Sequence, residues 1–298
     1  MRRGTMETHS SVVASNTVSR MVGPGVRGTR GGEFVALLQS GRDARVVVTR
    51  ASSIIVQRAV VLAAGNGDRF KNGTHRSKLL TPIVGQPLIL RTLSTAAAAG
   101  ISSFDIVLGY QADAVRTVVE RGLPSGTSVH FSYNPDWHLE NGVSVLAARR
   151  RMGDRRFALL MGDHLFEPAA LSILLHMEVP ANESILAVDT QPAPADVAAE
   201  ATQVRMDDTY ITAIGKELGE YDALDTGLFV CSPSLFAALD SSIRSGDTTL
   251  SGGIRMLAAQ RLMRGADVAG ASWYDIDTLA DLTTAEHRLT AQAEPFPA

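Results

Sequence analysis

Four short strand-like runs, AVVL (59–62), FDIVLGY (104–110), SVHFSYN (128–134) and FALLMGD (157–163), alternate with helical spacing along this chain. Gln86–Ala99 repeats apolar residues at 88, 89, 93, 96 and 97 and is closed by Gly100, the pattern of an amphipathic helix with a glycine stop. Ala112–Arg121 reads as a second helix, ended by Gly122 and Pro124, and a third opens within Trp137–Ser144 and runs to Arg151. Strands that alternate with helices in this way build βαβ units, whose strands lie parallel in one sheet. The later part is less regular. SILAVDT (184–190) reads as a strand, and a Pro/Ala-rich segment follows at 191–201. TQVRMD and TYITAIGKEL form a hairpin through Asp207-Asp208, and LDTGLFVCS (224–232) is another strand. Helices are predicted at 233–244, 251–264 and 279–292. The expected fold class is α/β: a mainly parallel sheet with a mixed extension, sandwiched by helices.

Charge divides the chain unevenly. Residues 1–52 hold eight arginines against Glu7, Glu33 and Asp43, a net of +5, so the remainder carries −8. The expected division is a basic extension over 1–52 and one domain over 53–298. Within the extension, 1–32 lacks core-forming periodicity and reads as disordered. FVALL (34–38) and RVVV (45–48) are its strand-like runs. A targeting segment, a stretch upstream of the true start and a small extra strand over Arg45–Thr49 all remain open for it. An acidic domain without a basic stripe excludes nucleic acid as a partner. No apolar run approaches 18 residues, so no membrane span is expected. The single cysteine, Cys231, excludes a disulfide framework and fits a reducing, cytoplasmic compartment.

The chemistry gathers in AVVLAAGNGDRFKNGTHRSKLLTP (59–82). A buried strand runs into Ala63-Ala64-Gly65-Asn66-Gly67, small residues whose backbone N–H groups can approach a ligand closely. Arg69 and Lys78 follow, and a loop of amides with two cations suits a polyphosphate. A Walker A loop is absent. The dinucleotide fingerprint fails as well, because Phe70 stands where its third glycine belongs. A bare GxG after a strand would otherwise mean only a tight turn.

The whole string LAAGNGDRF…SKLLTPIVGQPLILRTL resembles the signature of the nucleotidyltransferases, the superfamily of the sugar-phosphate and molybdopterin nucleotidyltransferases. The resemblance implies a three-layer α/β/α, Rossmann-like nucleotide-diphospho-sugar transferase (GT-A-like) fold. It implies that Leu62, Ala63, Ala64, Gly65, Asn66 and Gly67 wrap the nucleotide, and that Arg69 and Lys78 act on its phosphates as catalytic residues.

Asp163, in MGDH, ends a predicted parallel strand at the carboxyl edge, where α/β folds place ligands. It could hold Mg²⁺ through oxygen, or merely cap a following helix. In WYDIDT, Asp275 and Asp277 alternate on an extended segment and so point to one face, with a helix N-cap at Asp277 or Thr278 as the plain alternative. The resemblance makes Asp163 and Asp277 the metal ligands, with Asp275 in reserve. It places Asn141 and Ser144, in ENGVS, against the nucleotide, although cap chemistry explains Asn141 equally well. Lys216, in IGKEL, and His164 are candidates for the acceptor; their plain alternatives are a surface charge and a supporting role beside Asp163.

MGDH, ENGVS, IGKEL…DTGLFVC and DIDT together are similar to the inositol-1-phosphate cytidylyltransferases, over roughly residues 58–288. The implied reaction moves CMP from CTP to a small phosphorylated alcohol, inositol 1-phosphate, with Mg²⁺ as cofactor. A separate membrane CDP-alcohol transferase is then a possible functional partner. Sugar-1-phosphate, phosphocholine and molybdopterin nucleotidyltransferases remain alternatives, as does a non-catalytic nucleotide-binding module.

Overall fold

The computed structural model describes residues 33–40, 43–50, 56–68, 70, 77–191, 200–268 and 270–293. The chain falls into two units, Met1–Ile54 and Ile55–Ala298. In the first, β1 (Glu33–Ser40) and β2 (Asp43–Arg50) pair antiparallel, with Glu33 opposite Arg50 and Ser40 opposite Asp43. The FVALL and RVVV runs are the bodies of these strands. The expected disorder of 1–32 lies outside the described residues.

The second unit begins with β3 (Arg58–Ala63) and a 3₁₀ turn at Lys78–Leu80, then β4 (Pro82–Ile83), β5 (Gln86–Pro87) and α1 (Leu88–Ala98). Next come β6 (Ser103–Leu108), α2 (Ala112–Gly122), β7 (Ser128–Tyr133), α3 (Asn141–Ala147) and α4 (Arg149–Met152). They are followed by β8 (Phe157–Met161), β9 (His164–Phe166), α5 (Pro168–His176), β10 (Ser184–Asp189), β11 (Gln203–Asp207) and β12 (Tyr210–Gly215). The chain continues through β13 (Ala223–Cys231), α6 (Ser234–Arg244), α7 (Leu250–Ala259), β14 (Met263–Asp267), β15 (Trp273–Asp275) and α8 (Leu279–Ala293).

The main sheet has nine strands. β7, β6, β3 and β8 lie side by side and parallel, as the alternating pattern requires. β13 then runs antiparallel to β8, β10 antiparallel to β13, and β14 parallel to β10. The β11–β12 hairpin links β13 back to β14, so five strands close on themselves at one side of the sheet. Successive side chains of a strand point to opposite faces, and both faces are buried here. Ala59, Val61 and Ala63 join Ile89, Leu93, Val115, Val119 and Leu171 on one side. Val60 and Leu62 join Val145, Leu235, Leu239, Ile254 and Leu257 on the other. Each of the buried Val, Leu and Ile side chains contributes about 1.5–3 kcal/mol.

Three expectations need correction. The helix expected over 251–264 stops at Ala259; Arg261 turns the chain with φ 53°, and Met263 pairs with Ser184 as the start of β14. A short segment containing Gly265 carries little periodic signal, and only the free edge of β10 makes it a strand. The helix expected from Gln86 starts at Leu88, because Gln86-Pro87 pairs back on Pro82-Ile83. The helix expected to run to Arg151 divides at Ala148 into α3 and α4.

The second unit is compact by itself and carries its own core on both faces of the sheet. Deleting residues 1–54 is therefore expected to leave a folded domain whose melting temperature lies within a few degrees of the full chain. A fall of ten degrees or more in a thermal melt would show that the first unit packs on the domain.

Candidate active site at the carboxyl edge of the sheet

The loop after β3 is held from below. The Leu62 carbonyl accepts the Gly162 N–H at 2.9 Å and the Ala64 carbonyl accepts the Tyr110 N–H at 2.9 Å, which ties the loop to the ends of β8 and β6. Leu62, Ala63 and Ala64 are buried, whereas Gly65 is exposed and a Cβ added there would meet nothing within 4 Å. Gly67 has φ +64°, and a Cβ there would lie 3.0 Å from Lys78 Cβ. Glycine is required at 67 both for that backbone conformation and for that approach. Arg69 lies outside the described residues. Tyr110 and Trp137 flank the loop, their rings 5.4 Å apart, and Gln111 Oε1 accepts the Ser77 N–H at 2.8 Å, anchoring the residue before Lys78.

Lys78 is the centre of the charge arrangement. Its Nζ lies 2.7 Å from Asp163 Oδ2 and 3.0 Å from Asp277 Oδ1, and the residue is only 7 % exposed. Burial by itself would lower the ammonium pKa, but Asp163, with Asp275 and Asp277 behind it, raises it above the ordinary lysine value. Lys78 is therefore a fixed positive charge at any physiological pH.

Asp163 occupies the turn between β8 and β9, and the residue after it starts a strand. The helix-cap alternative for Asp163 is thus removed: α5 begins later, with Glu167 at its N-cap position. At the start of α8 the capping contacts are made by Thr278 and Asp281. Thr278 Oγ1 accepts the Asp281 N–H at 3.2 Å, and Asp281 Oδ2 accepts the N–H groups of Asp277 and Thr278 at 3.1 and 2.7 Å. This reciprocal cap starts α8, and the Asp277 carboxylate meets Lys78. Ile276, between the two aspartates, is fully buried in a small cluster with Phe70, Ile83 and Leu88. The alternation expected of WYDIDT therefore holds, with both carboxylates on the site side.

β15 pairs with β9, which sets Asp275 opposite His164. His164 Nε2 lies 3.4 Å from Asp275 Oδ1 and 4.0 Å from Asp163 Oδ1, while Nδ1 donates to the Thr226 carbonyl at 3.1 Å. Burial would lower the imidazole pKa, but Asp275 and then Asp163 push it up to about 9. Gly227, with φ +75°, makes room for this ring, because a Cβ there would sit 2.3 Å from two of its atoms. Asp225 accepts the Gly227 N–H at 2.7 Å, and burial pushes its carboxyl up to about 6 against the pull of that bond and of His164. Asp163, His164 and Asp275 each offer one ligand atom, all within 4.8 Å of one another. Asp163 and Asp277 already converge on one cation, the Lys78 ammonium. A set dominated by carboxylate oxygen fits a hard divalent ion such as Mg²⁺ better than a thiophilic metal.

Two of the remaining candidates have hydrogen-bond partners within the fold. Ser144 is 5 % exposed and its Oγ accepts the Asn134 amide at 3.0 Å, which ties α3 to the end of β7. Asn141 is exposed, yet its side-chain oxygen accepts the Leu250 N–H at 2.8 Å and joins α3 to α7. Lys216 is exposed just beyond β12, at the end of the hairpin where Gly215 pairs with Gln203 and Gln203 with Leu224. Thr226, Gly227 and Gln111 were not foreseen as supports of the site. Thr226 and Gly227 lie within β13, inside the DTGLFVC run, and Gln111 lies just beyond β6.

A parallel-centred sheet with a small-residue loop at its carboxyl edge, beside a lysine held between two aspartates, defines a nucleotide-handling α/β protein. Comparison with known proteins sharpens that class. Residues 59–239 match the MobA-like NTP transferase domain. A protein of Rubrobacter xylanophilus named bifunctional IPC transferase and DIPP synthase is 36% identical over 246 residues, covering 79% of this chain and 52% of that protein. The CMP-5'-(3-aminopropyl)phosphonate synthase of Streptomyces rubellomurinus is 28% identical over 257 residues, covering 80% of this chain and 39% of that protein. The chain thus spans about half the length, or less, of these curated relatives. Among solved structures, the inositol-1-phosphate CTP transferase from T. maritima superposes with a TM-score of 0.70 at 24% identity, covering 82% of this chain and 98% of that one. The chain belongs to the MobA-like NTP transferase domain family and has the Rossmann-like nucleotide-sugar transferase fold. Among the described residues, no helix is long and apolar enough to cross a membrane.

Proposed function

We propose that this protein transfers CMP from CTP to a small phosphorylated alcohol, with inositol 1-phosphate as the acceptor and pyrophosphate as the second product. The observation that carries the reading is Lys78, buried between Asp163 and Asp277 and packed against Gly67 of the small-residue loop. The names of the relatives support the choice of nucleotide and acceptor.

A phosphate monoester is largely ionised at neutral pH, so one of its oxygens can attack the α-phosphorus of CTP without a general base. The P–O bond to the β-phosphate breaks as the new P–O bond forms, and pyrophosphate leaves with the electron pair. The protein's work is alignment and charge compensation. The Gly65–Gly67 loop offers backbone N–H groups to the triphosphate. Lys78 stabilises charge that develops on the α-phosphate, and Arg69 receives the departing pyrophosphate. Asp163 and Asp277 would hold Mg²⁺, with Asp275 in reserve, and the ion would supply Lewis-acid neutralisation of phosphate charge. His164 and Lys216 stand on the acceptor side. The CDP-alcohol product would then feed a CDP-alcohol transferase.

The test is pyrophosphate release from CTP, UTP, ATP and GTP against inositol 1-phosphate, phosphocholine, a sugar 1-phosphate and an alkylphosphonate. CTP with inositol 1-phosphate is expected to exceed every other pairing by at least about tenfold, the scale of 1.4 kcal/mol of discrimination. Equal turnover with UTP would reduce the reading to a nucleotidyltransferase of broad base choice.

A further inference from the structure

Thr92 is a polar residue on the buried face of α1, 1 % exposed among Leu88, Ile89, Leu93 and Ala96. Its hydroxyl lies 3.1 Å from the Gly162 carbonyl and 3.0 Å from the His164 carbonyl, the two that flank Asp163. A third carbonyl, that of Leu88 in the preceding helical turn, is 3.3 Å away. One hydroxyl proton is thus shared by buried acceptors on both sides of the Asp163 residue. The same helix carries the Lys78 segment at its start, where the Leu88 N–H donates to the Thr81 carbonyl at 3.0 Å. α1 also presses from below: a Cβ on Gly162 would come within 3.2 Å of Ile89 and 3.4 Å of Leu79.

We infer that Thr92 is a positioning residue for the reaction proposed above, registering the Asp163 turn against the Lys78 arm through its hydroxyl. The 2.7 Å separation of Lys78 Nζ and Asp163 Oδ2 depends on two chain segments 85 residues apart, and α1 is the rigid element that touches both. The Gly162 N–H bond to Leu62 and the β9 pairing hold the turn on the sheet, and the Thr92 proton shared between the carbonyls on either side of residue 163 adds its tie to α1. Without the hydroxyl, the Gly162 and His164 carbonyls lose a buried donor, and the turn must move to find water or another partner. Residues that orient a ligand from behind typically matter about 10–100-fold for metal affinity or activity.

The test compares Thr92→Val, which keeps the shape and removes the hydroxyl, with Thr92→Ser, which keeps the hydroxyl. Mn²⁺ affinity is measured by electron paramagnetic resonance on the nucleotide-free protein, and kcat and KM for CTP are measured below the melting temperature of each variant. Thr92→Val is expected to weaken Mn²⁺ binding and lower kcat by about tenfold or more, with KM for CTP within about twofold; Thr92→Ser is expected to restore both. If the valine variant melts below the assay temperature, Thr92→Ala must give the same split. Unchanged Mn²⁺ affinity in the valine and alanine variants would overturn the proposal, and so would a serine variant as impaired as valine. Because the Mn²⁺ titration needs no substrate, it reports on Thr92 even if the parent protein turns over none of the proposed acceptors.

Discussion

Lys78→Ala is expected to lower kcat by about a hundredfold or more, because a fixed cation aimed at charge that grows in the transition state typically contributes about 3 kcal/mol or more. Two features of the structure make this a catalytic effect. The ammonium is 7 % exposed and keeps its proton, so its charge is preorganised and little screened by water. The loop amides at Gly65 and Gly67 do not depend on the lysine charge, so CTP binding should weaken far less than turnover. Metal affinity should move the other way, because the Asp163 and Asp277 carboxylates lose their competing cation. Calorimetric titration with CTP and Mn²⁺, beside single-turnover rates, separates these quantities. A variant that loses CTP binding and kcat in equal measure would mean that Lys78 grips the ground state only.

Asp163→Asn is expected to remove Mg²⁺-dependent turnover, by about a hundredfold at least, while far-UV circular dichroism and the melting temperature change little. The amide nearly matches the carboxylate in shape but gives up the charge that attracts both Lys78 and a divalent ion. The fold should tolerate it because residue 163 lies in a turn whose backbone is held by Leu62, Thr92 and the pairing of β9, none of which uses its side chain. Full activity of the asparagine variant at saturating Mg²⁺ would remove Asp163 from the metal site. Silence at both Lys78 and Asp163, in a protein that still binds nucleotide, would favour a binding module over an enzyme.

The parts of this protein that could be read from its sequence are those whose cause is local. AVVL and FALLM are apolar on both faces of the strand and FDIVL nearly so, with Asp105 its one polar residue, so they had to lie inside a sheet, and the helical spacing between them required parallel crossovers. Gly65 and Gly67 next to a strand end required an open loop. Asp163, in the turn that follows an apolar strand, could emerge only at the carboxyl edge.

Tertiary structure decided whatever depends on partners distant in the chain. Lys78 meets Asp277 across 199 positions, and which of the two aspartates in WYDIDT takes the lysine depends on the pairing of β15 with β9. Thr278 and Asp281 cap α8, whereas the local sequence allowed Asp277 or Thr278 to be the cap. Ser144 and Asn141 also meet partners that no local pattern shows, the Asn134 amide and the Leu250 N–H. MRGAD became a strand because β10 had an open edge, although its own residues gave no period. Backbone pattern follows from neighbours in sequence, whereas the partner of a polar side chain follows from neighbours in space, and packing of the whole sheet is what assigns those.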